Sequence, residues 1–587
     1  MNPTDDQTLS MTTAAYRLRV DPVRAVADVR GADGRLWFRL RLLGSLDTLD
    51  GPDETVGDVA VSGRGDGDGL LVEVRCRSSR WTERTTYLRC TETRLEHWTV
   101  VRGEGRVLSA QLFGGRRLPR GALPSGSGLH TVVSPNPDHP RRVARSAVEP
   151  AVIGVVGEGS EPGVGHWLFT PAPWCYAVCR EPAANDVDPP DGEWAVVGLL
   201  APVAEQTFTA FHYDPVTDGF SLRLEYEGHT TVAGEFRTPT VVVDFGHTDP
   251  YDAFAAHTAL LRERGLLPEP HETLDRWMQP LFCGWGAQNW LAVERRGSAP
   301  QYATEQAYDE FLARLTDNGV LPGTVVVDDK WQEQYATCRP DPRKWPDLRR
   351  WIARRHRSGQ SVLLWWKAWD PEGAPRDACV CTPDGEPVAL DPESPSGRAL
   401  VEDAVRYMLA PEGLDADGFK VDFTARTPSG VGLTHAGPSW GAALLHRLLA
   451  VVYDTAKAVK PSACIITHAA NPAFADVTDL IRLNDVLMLD APEPWTAVAP
   501  HMSYRAEVVR AACPGVPIDT DGWMMPGRVA WLEWTRRQPG IGVPALYYVT
   551  HVDHSGEPLL PEDLAEVARL WAEYRKKHDL PMPLGYS

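Results

Sequence analysis

ADGFKVDFTA, residues 416–425, sets Phe419, Val421 and Phe423 in alternation with Lys420 and Asp422. A period of two belongs to a β-strand with two unlike faces, here one apolar and one carrying a lysine beside a carboxylate. Other short apolar runs share this shape: PLFCGWG (280–286), GTVVVDD (323–329) and SVLLWWK (361–367) before it. After it come ACIITHA (463–469), LIRLND (480–485), VPIDTD (516–521) and PALYYVT (544–550). Helical patterns lie between them, such as EQAYDEFLARLTDNG, DLRRWIARRHRSG and WGAALLHRLLAVVYDTAKAVK, and PEDLAEVARLWAEYRKK closes the series. Eight strand–helix units in roughly 300 residues predict a (β/α)8 TIM barrel, which typically takes ~250. An open doubly wound sheet rarely needs eight uniform units.

Ahead of the barrel the pattern is different. GRLWFRLRLLG, GLLVEVRCRSS, RTTYLRCTETRLEHWTVVRG and FSLRLEYEG alternate apolar and polar residues between Gly, Pro and Asp turns. Helical spacing is nearly absent, which predicts an antiparallel β-sandwich. The expected organisation is a sandwich over 1–248, a helical linker over 249–274 and a catalytic barrel over 275–587.

Composition narrows the function. The chain has 587 residues, 43% of them hydrophobic, enough to bury more than one core. A formal net charge of −20 argues against nucleic acid and against anionic membranes, both of which need a basic face. No apolar stretch approaches the ~18–20 residues of a membrane span. The opening MNPTDDQTLSMTTAAYRLRV carries acids where a signal peptide carries a basic region, so a cytoplasmic location is expected. The ten cysteines are scattered, and the Cys175/Cys179 pair of CYAVC has no matching pair elsewhere, so these read as buried free thiols. His551, Asp553 and His554 in THVDHSG read as a polar loop turn rather than a metal site.

A barrel gathers its chemistry where strands become loops, at the carboxyl-terminal rim. That rim reads Trp285 after the first strand, then Asp328, Asp329, Lys330 and Trp331 after the second. The third contributes Trp365, Trp366, Lys367, Trp369 and Asp370, the fourth Lys420 and Asp422, and the fifth His468 and Asn471. The sixth contributes Arg482, Asn484 and Asp485, and the seventh Asp519, Asp521 and Trp523. Singly, each acid could be a helix cap and each tryptophan core mass. Together, crowded carboxylates repel, a cost tolerated mainly where a ligand or reaction uses them.

Acids with tryptophans suit a sugar: carboxylates and lysines bond ring hydroxyls, and indole faces cover the apolar side of a pyranose. Glycoside cleavage needs two carboxyl groups flanking the anomeric carbon, and Asp422 and Asp485, two strands apart, are the candidates. Lys420 is expected to lower the Asp422 pKa and keep it ionised as a nucleophile. Asp485 needs a raised pKa to act as acid, and Arg482 and Asn484 work against that.

DDKWQ, GFKVDF, RLND and DTDGW, in this order, resemble the catalytic barrel of clan D retaining α-glycosidases, nearest to glycoside hydrolase family 36. The resemblance spans most of residues 275–550 and implies Asp422 as nucleophile, Asp485 as acid/base and Lys420 on ring hydroxyls. It further implies Asp328 and Asp329 as tandem acids on the far side of the sugar, with Trp331 near by. Trp285, Trp366, Lys367, His468, Arg482 and Asp521 complete the expected substrate-binding set. The implied reaction is double displacement with retention on a small α-galactoside-like substrate, needing no metal and no organic cofactor. Transfer to a sugar acceptor with the same catalytic pair, and sugar binding without chemistry, are the alternatives.

Three departures stand out. The fifth strand runs into THAANPAFAD instead of a Cys-Gly-Gly-rich loop that helps read galactose. Lys330 stands where glycine is usual, either favouring an acidic sugar or pairing with Asp328 or Asp329. After the last helical pattern comes HDLPMPLGYS (578–587), shorter than the β-domain of most relatives, so a partner subunit, with a homo-oligomer among the options, is one expectation for what covers the barrel's end.

Overall fold

The computed structural model describes residues 9–114, 117–118, 121–122, 124–127, 131–135, 143–145, 153–155, 174–184, 188–216, 219–424, 427–486 and 497–584. Its amino-terminal half is an antiparallel network of 18 strands. The long strand Arg94–Leu112 organises it, pairing with Glu83–Cys90 on one side and Gly219–Arg237 on the other. Alternation decides which side chains go inside. In Glu83–Cys90, Arg84, Thr86, Leu88 and Cys90 point inward, where Leu88 joins Trp37, Phe38, Leu46, Leu95, Phe220 and Val243 in one apolar core. Arg84 is buried there because Asp53 neutralises it at 2.6 Å.

The helix Pro250–Glu263 follows the strand Thr240–His247. Asp249 caps it, accepting from the amides of Tyr251 at 2.8 Å and Asp252 at 2.9 Å, and a proline opens the first turn. It is a packed wedge as well as a connection. Ala253, Phe254 and Leu261 join one core with Trp174, Trp194 and Val196 from the sandwich and with the barrel's own apolar residues.

The barrel strands are Leu281–Cys283, Thr324–Val327, Ser361–Lys367, Gly418–Asp422, Cys464–Thr467, Leu480–Arg482, Ile518–Asp519 and Ala545–Leu546, all parallel and in chain order. The first pairs with the eighth, and a parallel bridge from Asp519 to Val543 brings the seventh against the eighth, nearly closing the cylinder. Several strands are shorter than the sequence suggests. Trp285, for instance, opens the helix Trp285–Arg295 instead of ending a strand. Two helices escaped periodicity because their pattern is weak. Val498–Ala512 buries His501, Met502, Tyr504, Arg505 and Val508 around most of its circumference, and Arg528–Ile541 contains Pro539.

The two ends of the fourth strand differ in purpose. At its start Asp417 accepts from the Val362 amide at 2.8 Å, meets His356 at 2.8 Å and pairs with Arg276 at 3.0 Å. That bundle staples the floor of the barrel. At its other end stands Asp422, in the mouth. Among the described residues no helix is long and apolar enough to cross a membrane.

Candidate active site

Register in the parallel sheet builds the mouth. The third and fourth strands pair Trp365 with Lys420 and Lys367 with Asp422, so side chains two apart on each strand line the interior. Lys420, one layer down, is buried and turns to Asp328, its Nζ 2.7 Å from Oδ2 and 3.5 Å from the Cys283 sulfur. Burial opposes the ammonium's charge, but Asp328 and Cys283 outweigh it and raise the lysine's pKa. Lys420 thus acts on Asp422 through its charge, as one of the smaller pulls that lower that carboxyl, while its ion pair is with Asp328, which projects at it from the end of the second strand.

Asp422 draws its own partners from other strands. Oδ1 meets the Phe423 amide at 3.0 Å, His468 Nε2 at 2.8 Å and Arg482 Nη2 at 3.3 Å. Oδ2 accepts from Trp365 Nε1 at 2.7 Å. Burial pushes this carboxyl up, yet the Arg482 charge first, then His468 and Lys420, carry it well below the usual range. The anion is held, chiefly by an arginine.

Arg482 is the hub of the site. Nη1 pairs with Asp485 Oδ1 at 3.1 Å and with Asp521 Oδ2, while Nη2 reaches Asp422, so one planar guanidinium touches three carboxyl groups. Asp485 is pushed up to about 7, by burial first and by the charges of Asp521 and Asp422, against the pull of Arg482. Sequence left the sign of that contest open; burial and the two neighbouring anions decide it. Asp519, also buried, rises to about 7 through burial and the charge of Asp521.

Three non-glycine residues at this rim take left-handed backbone: Phe423 (φ 55°), Asn484 (φ 71°) and Asp521 (φ 53°). Such conformations cost of order 1 kcal/mol each and concentrate at functional sites. At Phe423 the turn aims its amide back at Asp422. Arg505, on the helix Val498–Ala512, donates to the carbonyls of Leu483, Asn484 and Asp485 at 2.7, 2.9 and 2.8 Å. It fixes the loop that carries Asp485. Arg505 is one of two arginines in a mostly buried helix, which offers no pattern by which sequence reasoning could find it.

The tandem acids split. Asp328 is buried deep in the mouth on Lys420, whereas Asp329 takes the Tyr335 hydroxyl at 2.9 Å and is pushed up to about 7 by burial and by the charge of Asp328. Lys330 pairs with neither, going instead to Glu372 at 2.5 Å. Lys367 pairs with Asp370 at 2.6 Å.

The tryptophans also divide. Trp365 faces the mouth between Tyr335 and Phe423. Trp366, one residue on, faces outward into the core against Phe419, and Trp331 is buried with its indole on the Trp365 carbonyl, so neither presents a face to the mouth. Trp285 is half-buried with its ring edge-on to Trp523, which Asp553 holds by its indole nitrogen at 2.7 Å. Asn471 caps a short helix. Among the described residues no group of His, Cys, Asp and Glu is arranged to hold a metal ion.

No family model matches this sequence, and no curated protein matches it. Solved structures do share its shape. A sulfoquinovosidase of glycoside hydrolase family 31 from E. rectale superposes with a TM-score of 0.57 at 10% identity, covering 96% of this chain and 82% of that one. An α-N-acetylgalactosaminidase from Bifidobacterium bifidum gives 0.61 at 14% identity, covering 96% and 92%. An α-galactosidase from Thermus thermophilus gives 0.50 at 17% identity, covering 87% and 99%. At these identities the likeness is one of fold: this chain has the β-sandwich and (β/α)8 barrel of those three enzymes, and shares it across nearly its whole length.

Proposed function

We propose that the chain is a retaining α-glycoside hydrolase in which Asp422 is the nucleophile and Asp485 the acid/base. The observation that carries this reading is the pair of carboxyl groups on one guanidinium with opposite pKa shifts, Asp422 held well below the ordinary range and Asp485 lifted to about 7. Two carboxyls driven apart in this way are what an acid and a nucleophile working at one carbon require. The sugar-binding alternative has no use for that split.

In this reading Asp485 gives its proton to the glycosidic oxygen while Asp422 attacks the anomeric carbon. Oδ2, which keeps one hydrogen bond from Trp365, is the attacking oxygen; Oδ1 is occupied by three partners. A β-glycosyl–Asp422 ester forms and the alcohol leaves. Asp485, now ionised, takes a proton from water as that water attacks the anomeric carbon, the bond from that carbon to Asp422 Oδ2 breaks to release the carboxylate, and the sugar departs with its α configuration restored. Arg482, bonded to both carboxyls, stays beside the single negative charge as it passes from Asp422 to Asp485 in the first half-reaction and back in the second. Asp328, Asp329, Lys420 and Lys367 bind hydroxyls, and a galactose-like glycone is the starting candidate. The fold shared with glycosidases, two of them named for α-linked galactose-type sugars, accords with this.

The test uses 4-nitrophenyl α-D-galactopyranoside and its glucose epimer. Proton NMR of the first-formed sugar should show the α anomer, and Asp422→Asn should lose turnover by roughly 10³-fold or more while its circular dichroism is unchanged. A β first product, or near-normal turnover by that variant, removes the assignment.

A further inference from the structure

Lys330, just after the second barrel strand, and Lys367, at the end of the third, converge on one ring. Their ammonium groups lie 4.3 and 5.0 Å from the centre of the Tyr335 ring, whose hydroxyl bonds Asp329. Neither lysine is bonded to the tandem acids: Lys420 pairs with Asp328, and the Tyr335 hydroxyl donates to Asp329, on which Lys367 acts only through its charge. Their partners are Asp370 and Glu372, two carboxylates of one short loop; the Glu372 side chain is 43% exposed, and those of Lys330, Lys367 and Asp370 are 18–20% exposed. Glu372 is open to water, so its pair with Lys330 contributes little and another anion can exchange into it cheaply, with Lys367 beside it on the same ring. Two lysines with spare N–H donors, beside an aromatic face, form a receptor for an oxyanion.

The position says which part of a ligand this receptor meets. Lys330 follows the second strand and Lys367 ends the third, whereas Asp485 follows the sixth, on the other side of the mouth. The acid stands where the leaving group departs, so the lysines face the sugar itself. Burial lifts Asp329 to about 7, so it opposes an anion there less than an ordinary carboxylate does.

Building on the proposed glycosidase activity, we infer that the preferred substrate is an α-glycoside whose sugar carries an oxyanion away from the anomeric carbon, gripped by Lys330 and Lys367 around Tyr335 in place of Glu372 and Asp370. Carboxylate, sulfonate and phosphate share the required chemistry.

The experiment is a panel of 4-nitrophenyl α-glycosides of galactose and glucose, each with hydroxymethyl, carboxylate, sulfonate or phosphate chemistry at C6. Binding of the same panel to Asp422→Asn is read in parallel by calorimetry. One anionic member should exceed its neutral parent by about tenfold or more in kcat/KM, an advantage that shrinks as KCl is added. Lys330→Met and Lys367→Met should each cut the anionic-to-neutral ratio by about tenfold, through KM. Glu372→Gln, which removes the competing carboxylate, should tighten anionic binding. Preference for every neutral parent, or an unmoved ratio in both lysine variants, overturns the anion site and leaves hydrolysis standing. No turnover of any member, with lysine-dependent binding of an anionic one, overturns hydrolysis and keeps the anion site. No turnover and no binding overturns both.

Discussion

Trp365 Nε1 donates a 2.7 Å hydrogen bond to Oδ2 of Asp422, the free-facing oxygen of the most depressed carboxylate in the mouth. Both residues are interior positions of neighbouring strands, one layer apart in register. Losing this bond removes a donor from the ionised form of Asp422 and so raises its pKa. Trp365→Phe should lower kcat/KM about tenfold and move the acid limb of its pH profile upward. Trp366→Phe, a change on the outward side of the same strand, should cost stability without moving that limb. Identical limbs in both variants would show that Trp365 is only packing.

Asp485→Ala should separate substrates by leaving group. An activated aryl α-glycoside departs without protonation, so its turnover should fall little in the first step, whereas an alkyl α-glycoside should lose roughly 10²–10⁴-fold. Azide should restore turnover and yield an α-glycosyl azide, seen by mass spectrometry and NMR. Equal losses on all substrates, with no azide product, would remove Asp485 from the acid/base role.

The pH profile has a sign that follows from the two shifts. In the proposed mechanism Asp422 must be ionised, and its carboxyl lies well below the ordinary range, so activity should persist into the acid region before failing. Asp485 must be protonated, and its carboxyl lies at about 7, so kcat/KM should fall as pH rises through about 7. Initial rates across pH 3–9 check this, and the alkaline limb should vanish in Asp485→Ala rescued by azide. A limb that survives there belongs to another group, with Asp519 the first to test.

Asp417 offers the structural control. Burial raises its pKa, but the His356 hydrogen bond and charge, then Lys460, carry it below the ordinary value. A depressed carboxyl stabilises the fold above its unfolded pKa, and that contribution disappears as pH falls through the folded one. Asp417→Asn should therefore cost about 3 kcal/mol at neutral pH, a deficit that shrinks toward acid, in urea denaturation of the two proteins. The kcat/KM profile should keep both limbs. A shifted limb would mean that the barrel floor and mouth are electrically coupled.

Period-two strands and intervening helices, repeated eight times, determine a (β/α)8 barrel because alternation and amphipathicity are local properties of the chain. Alternating runs determine the sandwich for the same reason, and strand-end positions bring Asp328, Lys420, Asp422, Arg482, Asp485 and Asp521 to one mouth. Partnership is another matter, since it depends on distances between strands remote in sequence. Lys420 chose Asp328 over its chain neighbour Asp422, Lys330 chose Glu372 over the adjacent acids, and Arg505 reached Asp485 from a helix with no readable pattern. The choice between Trp365 and Trp366 turned on a single residue of register, and the lift of Asp485 turned on burial that only a packed barrel supplies. Local pattern decides which elements form and which face is wet; Coulomb forces and desolvation act through space, so only the folded chain decides which charges meet.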